Sequence, residues 1–370
     1  MTKKIDNYFN LSPVLKTDCH YNLVIGKRSN GKTFSYISFI LQNRKKNASY
    51  KGALLRRYDV DIKPTYMRSL FIPHDREIEN LFCGEWNFVK YYNHRFYLCY
   101  REEGKIIRQD ETPILHCFAL NLWEHTKGVD NGYFNSILFD EFITRDYYLP
   151  DEYVIFCNVL STLLRDRDGT KIFMFANTVN KYSIYFKEMG IYDIDKIKQG
   201  DTKVYNYGYG NDNLKICVHY APQTKNTTKV EKYFKHFTNP KLSMITSGEW
   251  EINNYPHAPC KINNSDVLKR FYIVFDNKTI AGDIVNNDYG LFIYFHPQTK
   301  EINIQKEIVY CFEPSPNVLH AQSLRMGVLK IHKIIYDLIQ RNKLFYMDNE
   351  VGEIVRNWLI SQKQISPIRK

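Results

Sequence analysis

A chain of 370 residues has room for two or three domains, and a hydrophobic fraction of 44% is enough to fill their cores. Lysine and arginine number 51 against 40 acids, so the formal charge of +11 suits a polyanionic partner such as nucleic acid, or else a merely basic soluble surface. Eight cysteines with no C-x-x-C pair argue against a disulfide or zinc framework and predict reduced core thiols. With no signal peptide at MTKKIDNYFN and no apolar run near the ~18 residues of a membrane span, a soluble, intracellular protein with no membrane partner is expected.

Residues 1–20 read as a polar, mobile lead-in. The apolar run Leu23-Val24-Ile25 predicts a buried strand that opens directly into Gly26-Lys27-Arg28-Ser29-Asn30-Gly31-Lys32-Thr33. This is G-x-x-x-x-G-K-T, the loop that cradles nucleotide phosphates. Its glycines let backbone N–H groups converge on phosphate oxygens. Lys32 offers a cation to the β and γ phosphates, and Thr33 a hydroxyl to Mg²⁺. A helix expected over residues 34–42 adds its positive N-terminal end. ATP with Mg²⁺ is the expected ligand pair.

Ala53-Leu54-Leu55-Arg56-Arg57-Tyr58 predicts a second strand. Its two arginines read as DNA or subunit contacts, or equally as a solvated strand end. Residues 86–122 are β-rich, with turns at Asn-His, Glu-Glu-Gly and Thr-Pro. Ile137-Leu138-Phe139-Asp140-Glu141 is an apolar strand ending in two acids. Asp140 would hold the Mg²⁺ shell, and Glu141 would deprotonate the attacking water. Residues 151–165 carry apolar positions 156, 159, 160, 163 and 164, a helical spacing. Arg165 and Arg167 follow it in LLRDRDGT, placed to offset transition-state charge or to pair with Asp166 and Asp168. A further apolar strand over residues 171–177 ends in Asn177, which reads as a γ-phosphate sensor or a turn cap. Apolar strands alternating with helices predict an α/β fold with a parallel sheet and ligands at the strands' C-terminal ends.

Lysines accumulate among Gly, Asn and Thr over residues 196–241, which predicts a small connecting module with a short helix near residues 229–237. From Arg270 a four-strand antiparallel meander is expected: RFYIVF, TIAGDIV, LFIYF and EINIQKE. Two amphipathic helices close the chain, one through Leu324–Leu338 positions and one through Val351, Ile354, Val355, Trp358 and Leu359. Asp276, Asp283 and Asp288 invite a two-metal nuclease reading. Two of them, Asp276 and Asp288, fall in expected turns, whereas such a site needs carboxylates converging from strand interiors.

Taken together, YNLVIGKRSNGKT, LLRRY, SILFDEFI, the helix leading into LLRDRD, and IFMFANTVN resemble the DNA-packaging ATPases of small podophages of the Bacillus-infecting type. The match covers most of residues 20–190, is most specific in ILFDEFITRDYYLP, and continues weakly to FYMDNEVGEIV. That family is related to the large terminase subunits of tailed phages. The resemblance implies a phosphate-loop ATPase domain of the ASCE type with a parallel-rich sheet, expected over residues 1–200. A basic linker module over 201–245 and an α+β ribonuclease-H-like domain over 246–370, its nuclease centre lost, would follow. It implies a homo-oligomeric ring on the portal vertex of an empty prohead, threading double-stranded DNA in the host cytoplasm and absent from the mature virion. Some members use a structural packaging RNA as a further partner. Carried onto this sequence, Lys32 and Thr33 bind phosphate and Mg²⁺, and Asp140 binds Mg²⁺. Glu141 is the catalytic carboxylate, and Arg165 is an arginine finger acting on the neighbour's ATP. Two readings from other classes remain: a helicase or remodelling ATPase, which would need an ordered set of helicase motifs, and a non-catalytic nucleotide-binding scaffold, against which Glu141 argues.

Overall fold

In β1 (Tyr21–Gly26) only Tyr21 escapes full burial, as expected of a strand covered on both faces. Even its polar member is satisfied: the Asn22 amide donates to the carbonyls of Cys19 at 3.1 Å and Ile172 at 3.3 Å. This computed structural model describes residues 8–123, 132–164, 169–210, 213–222, 224, 249–298, 302, 307–311, 321–322 and 330–364. The chain divides into two units, Met1–Trp250 and Glu251–Lys370.

The first unit holds β1, α1 (Lys32–Lys46), β2 (Gly52–Arg56), α2 (Asp75–Leu81), β3 (Phe88–Tyr92), β4 (Arg95–Glu102), β5 (Lys105–Gln109), β6 (Leu115–Ala119), β7 (Ser136–Asp140), α3 (Glu152–Leu164), β8 (Lys171–Asn177), α4 (Ile184–Glu188), β9 (Thr202–Tyr207) and β10 (Leu214–Tyr220). Among the described residues these strands form a 10-stranded sheet in the order β3-β4-β6-β2-β7-β8-β1-β10-β9, with β5 paired to β4. The run from β6 to β10 is parallel throughout. Antiparallel strands close both ends. β8 lies between the loop-bearing β1 and the acid-bearing β7, the insertion that defines the ASCE arrangement.

Alternate residues of each central strand feed two layers. Leu23 and Ile25 join Phe139, Phe156 and Tyr185 on one face, while Val24 joins Tyr36, Ile40 and Phe173 on the other. Helix α3 buries Phe156, Val159, Leu160 and Leu163, the face its spacing predicts.

Two expectations change here. Residues 202–207 and 214–220, read as part of a linker module, are sheet strands. The Ile216-Cys217-Val218 run of β10 is buried beside β1, and β9, mostly exposed, forms the edge of the sheet. Nor is the lead-in loose throughout: Phe9 N donates to Asn30 O at 2.8 Å, and the Ser35 hydroxyl donates to Phe9 O. The helix expected near residues 229–237 lies outside the described residues. The eight cysteines are free, but Cys83 and Cys157 are exposed rather than core.

The second unit builds on β11 (Val267–Phe275), β12 (Lys278–Asn287) and β13 (Gly290–Pro297), an antiparallel meander. The fourth strand expected at EINIQKE falls mostly outside the described residues. β14 (Ile308–Cys311) pairs parallel with β11, β15 (Ala321–Gln322) pairs parallel with β14, and β16 (Leu344–Tyr346) pairs parallel with β13. Among the described residues the order is β15-β14-β11-β12-β13-β16; its first five strands, with β14 and β15 running parallel to β11, follow the order expected of a ribonuclease-H-like sheet, and β16 extends the β13 edge. Helices α5 (Lys330–Gln340) and α6 (Asn349–Gln364) bury Ile335, Leu338, Ile354, Val355 and Trp358. No helix among the described residues is long and apolar enough to cross a membrane.

Candidate nucleotide-binding and hydrolysis site

Three neighbouring parallel strands end at one place. Gly26 closes β1 and stands in register with Asn177 of β8, while Asp140 closes β7 opposite Phe175. The chain therefore brings the loop, the acids and the amide together at the C-terminal edge of the sheet, where α/β folds bind ligands. A cavity of about 280 Å³ opens there, lined by Lys32, Thr33, Arg56, Asp140, Glu141 and Asn177 among others.

The loop's shape depends on Gly31, the N-cap of α1, at φ +88°. A Cβ there would meet the Tyr8 ring at 2.6 Å, so the position demands glycine on both counts. Tyr8 stacks on Phe34 at 4.2 Å between centroids, and Phe34 stacks on His74 at 4.1 Å, which ties the lead-in to the loop's helix.

Lys32 is buried, and four neutral oxygens share the three N–H groups of its ammonium: Lys27 O at 2.9 Å, Asn30 Oδ1 at 3.2 Å, and Gly26 O and Asn177 Oδ1 at 3.3 Å each. Burial lowers its pKa to about 8, against the opposing pull of Asp140 and then Glu141. A cation held by neutral acceptors in a cavity is suited to take phosphate oxygens. The Asn30 Nδ2 group, buried and without a hydrogen-bond partner among the described residues, suits them too. Thr33 Oγ1 donates to Asp140 Oδ2 at 3.1 Å, which puts two hard oxygen donors side by side, the set Mg²⁺ prefers.

Arg56 and Arg57 are neither a solvated strand end nor free for DNA. Because β2 pairs in parallel with β7, Arg56 reaches both acids: Nη2 lies 2.7 Å from Asp140 Oδ2 and Nη1 lies 2.9 Å from Glu141 Oε2. Arg57 points to the other side of the strand and is buried against Glu152. The Glu141 side chain is 62% exposed toward the cavity, on a backbone at φ 63°, a left-handed conformation uncommon outside glycine. Arg165, with Arg167, lies outside the described residues. Sequence reasoning passed over Arg56 as a site residue; its one signal was its place at the end of an apolar strand, as with Asp140.

In the second unit, Asp276 and Asp288 fall in turns. Asp283 is buried in β12. Arg270 donates to it twice, at 2.6 and 2.8 Å, and His296 Nε2 lies 3.2 Å away. Burial alone would raise its pKa, but these partners hold it below the usual value. Arg270 takes both Asp283 oxygens, whereas the bonds from Arg56 and Thr33 to Asp140 fall on Oδ2, so Asp283 is engaged by side chains rather than open to a metal.

The full chain resembles the phi-28 gp11 DNA packaging motor at 17% identity and a TM-score of 0.53, covering 98% of this chain and 99% of that one. It resembles the bacteriophage phi-29 genome packaging motor assembly at 15% identity and 0.52, over 96% and 99%. The N-terminal domain of the phi29 packaging ATPase matches at 20% identity and 0.45, over 59% of this chain and 98% of that one. No curated protein sequence matches the chain. The family model for the podovirus DNA encapsidation protein, Gp16, matches residues 1–205, over half the sequence. The chain belongs to the podovirus DNA encapsidation protein family.

Proposed function

We propose that this DNA encapsidation protein hydrolyses ATP at the phosphate loop and uses the energy to drive double-stranded DNA into the viral prohead. The observation that carries the reading is the convergence of Lys32, Thr33, Asp140, Glu141 and Asn177 on one cavity at the ends of β1, β7 and β8. In this reading Lys32 exchanges its neutral oxygens for the β and γ phosphates, with Gly26 to Thr33 wrapping them. Thr33 and Asp140 would hold Mg²⁺, which supplies positive charge at the phosphates when bound. Glu141 takes the proton of the attacking water as the water oxygen bonds to the γ-phosphorus. The bond from the γ-phosphorus to the β–γ bridging oxygen breaks and leaves ADP. Asn177, already bonded to Lys32, is a fitting sensor of γ-phosphate. Arg165 is proposed as the arginine finger supplied to a neighbouring subunit of a ring, and the portal vertex as the place of action in the host cell. A structural RNA is a candidate further partner. No nuclease activity is expected of the second unit.

Lys32→Ala and Glu141→Gln separate binding from chemistry. Lys32→Ala should lose ATPase activity because the phosphates lose the loop's cation. Glu141→Gln should bind ATP near-normally and not turn it over, because an amide cannot accept the water's proton. Normal phosphate release by Glu141→Gln would remove Glu141 as the base.

A further inference from the structure

The proposed base, Glu141, sits on the loop after β7 in a left-handed conformation, φ 63°, which a side-chain-bearing residue adopts only when its surroundings hold it. Hydrogen bonds from two sides hold it. The Arg57 Nη1 group donates to the carbonyl of Glu141 at 3.2 Å, and Nη2 donates to the carbonyl of Phe142 at 2.8 Å. On the other side, Phe142 N donates to Phe175 O of β8 at 3.2 Å. The guanidinium is itself fixed. Its Nε and Nη2 groups donate to the two oxygens of Glu152, at 2.8 and 3.0 Å. Glu152, fully buried at the start of α3, also accepts from Leu149 N and from Tyr185 OH, each at 2.8 Å.

We propose that Arg57, locked by Glu152, is a positioning residue for ATP hydrolysis: it clamps the two carbonyls that set the backbone of Glu141 and so aims the carboxylate at the attacking water. This rests on the reading of Glu141 as the base. A buried arginine–carboxylate pair with a purely structural role needs only the Arg57–Glu152 bonds. Here the planar fork is spent on both partners at once: the carboxylate on one edge and two successive loop carbonyls on the other. Only arginine offers five donors in that geometry. Arg56, the preceding residue, contacts the side chain of Glu141, so neighbouring positions of β2 govern the carboxylate and its backbone separately.

The test uses the full-length chain, in the same assembly state for every variant. Arg57→Lys keeps a cation beside Glu152 but cannot reach both carbonyls as well. Arg57→Met with Glu152→Gln removes both charges together and serves if the lysine variant does not fold, because it leaves no buried charge unpaired. Folded variants, judged by the thermal midpoint, should bind ATP within about twofold of the native protein. Their kcat should fall by roughly ten- to a hundredfold, the effect of misplacing a reacting group by about 1 Å. In single turnovers on a Glu141→Gln background, the Arg57 change should cost nothing further, because its effect passes through the carboxylate already removed. A native kcat in a folded variant overturns the proposal, as does a loss in kcat matched by an equal loss in affinity, or an undiminished further loss on the Glu141→Gln background. If Glu141→Gln alone turns over normally, the base assignment is wrong, and that arm reports it independently of Arg57.

Discussion

Lys32 carries an unusual burden for a single residue, since it is a cation buried among neutral oxygens before any phosphate arrives. The pH dependence follows from its pKa. The unfolded chain keeps this proton up to about 10.5, whereas the folded protein releases it near 8. Between those values the unfolded state binds more protons, so folding stability rises with pH and the penalty is fully present below about 8. Nucleotide affinity runs the other way, because phosphate needs the cation. ATP affinity should hold steady from pH 7 to about 8, then weaken toward tenfold per unit, with proton uptake on binding that calorimetry in buffers of different ionisation enthalpy can read. Lys32→Met should remove both slopes. An affinity flat to pH 9.5 would show that Lys32 stays charged without nucleotide.

At the scale of elements, the informative case is β12. The meander places one acid, Asp283, in a strand interior and leaves Asp276 and Asp288 in turns. A two-metal centre needs carboxylates that converge across a surface with their charges available. Turns use Asp for a different reason, its short side chain bonding back to the local backbone. Asp276→Asn and Asp288→Asn should therefore leave DNA packaging at its native rate. The native protein incubated with plasmid and Mg²⁺ or Mn²⁺ should leave it supercoiled. Metal-dependent nicking that either change abolishes would mean that the second unit retains a nuclease. The same unit shows where strand periodicity falls short. It marked the three antiparallel strands, whose turns are short and local. The segment EINIQKE falls mostly outside the described residues, and the described strand that follows, β14, pairs in parallel with β11, which the sequence pattern did not mark. Alternation records which face a strand buries, not the direction in which it pairs.

For the whole molecule, the question is whether one active site depends on another copy of the chain. An arginine supplied from a neighbour is worth about 10³–10⁵ in rate. Arg165→Ala should thus bind ATP near-normally yet hydrolyse it very slowly. Mixed with Glu141→Gln, it should regain part of the activity, since some interfaces would combine an intact Glu141 with a neighbour's intact Arg165. Co-assembly is checked with differently tagged variants. If mixed assemblies form and phosphate release stays at the level of either mutant alone, Arg165 acts within its own subunit or not at all, and Arg167 is tested next.

The sequence by itself determined which candidate site residues lie within short stretches. The phosphate loop spans eight consecutive residues, Gly26 to Thr33, and Asp140, Glu141 and Asn177 each sit where an apolar run stops. Any parallel arrangement would gather strand ends at one edge, so those residues were legible without knowing the strand order. Only the tertiary structure decided that β2 lies beside β7, and with it the roles of Arg56, Arg57 and Glu152. Parallel strands are joined by long crossovers, so nothing local records which two become neighbours. Backbone hydrogen bonds serve any parallel pair alike. The choice falls to packing, with Leu54 and Leu55 of β2 fitting opposite layers of the core, and that packing turns two arginines from an ambiguous strand end into parts of the site.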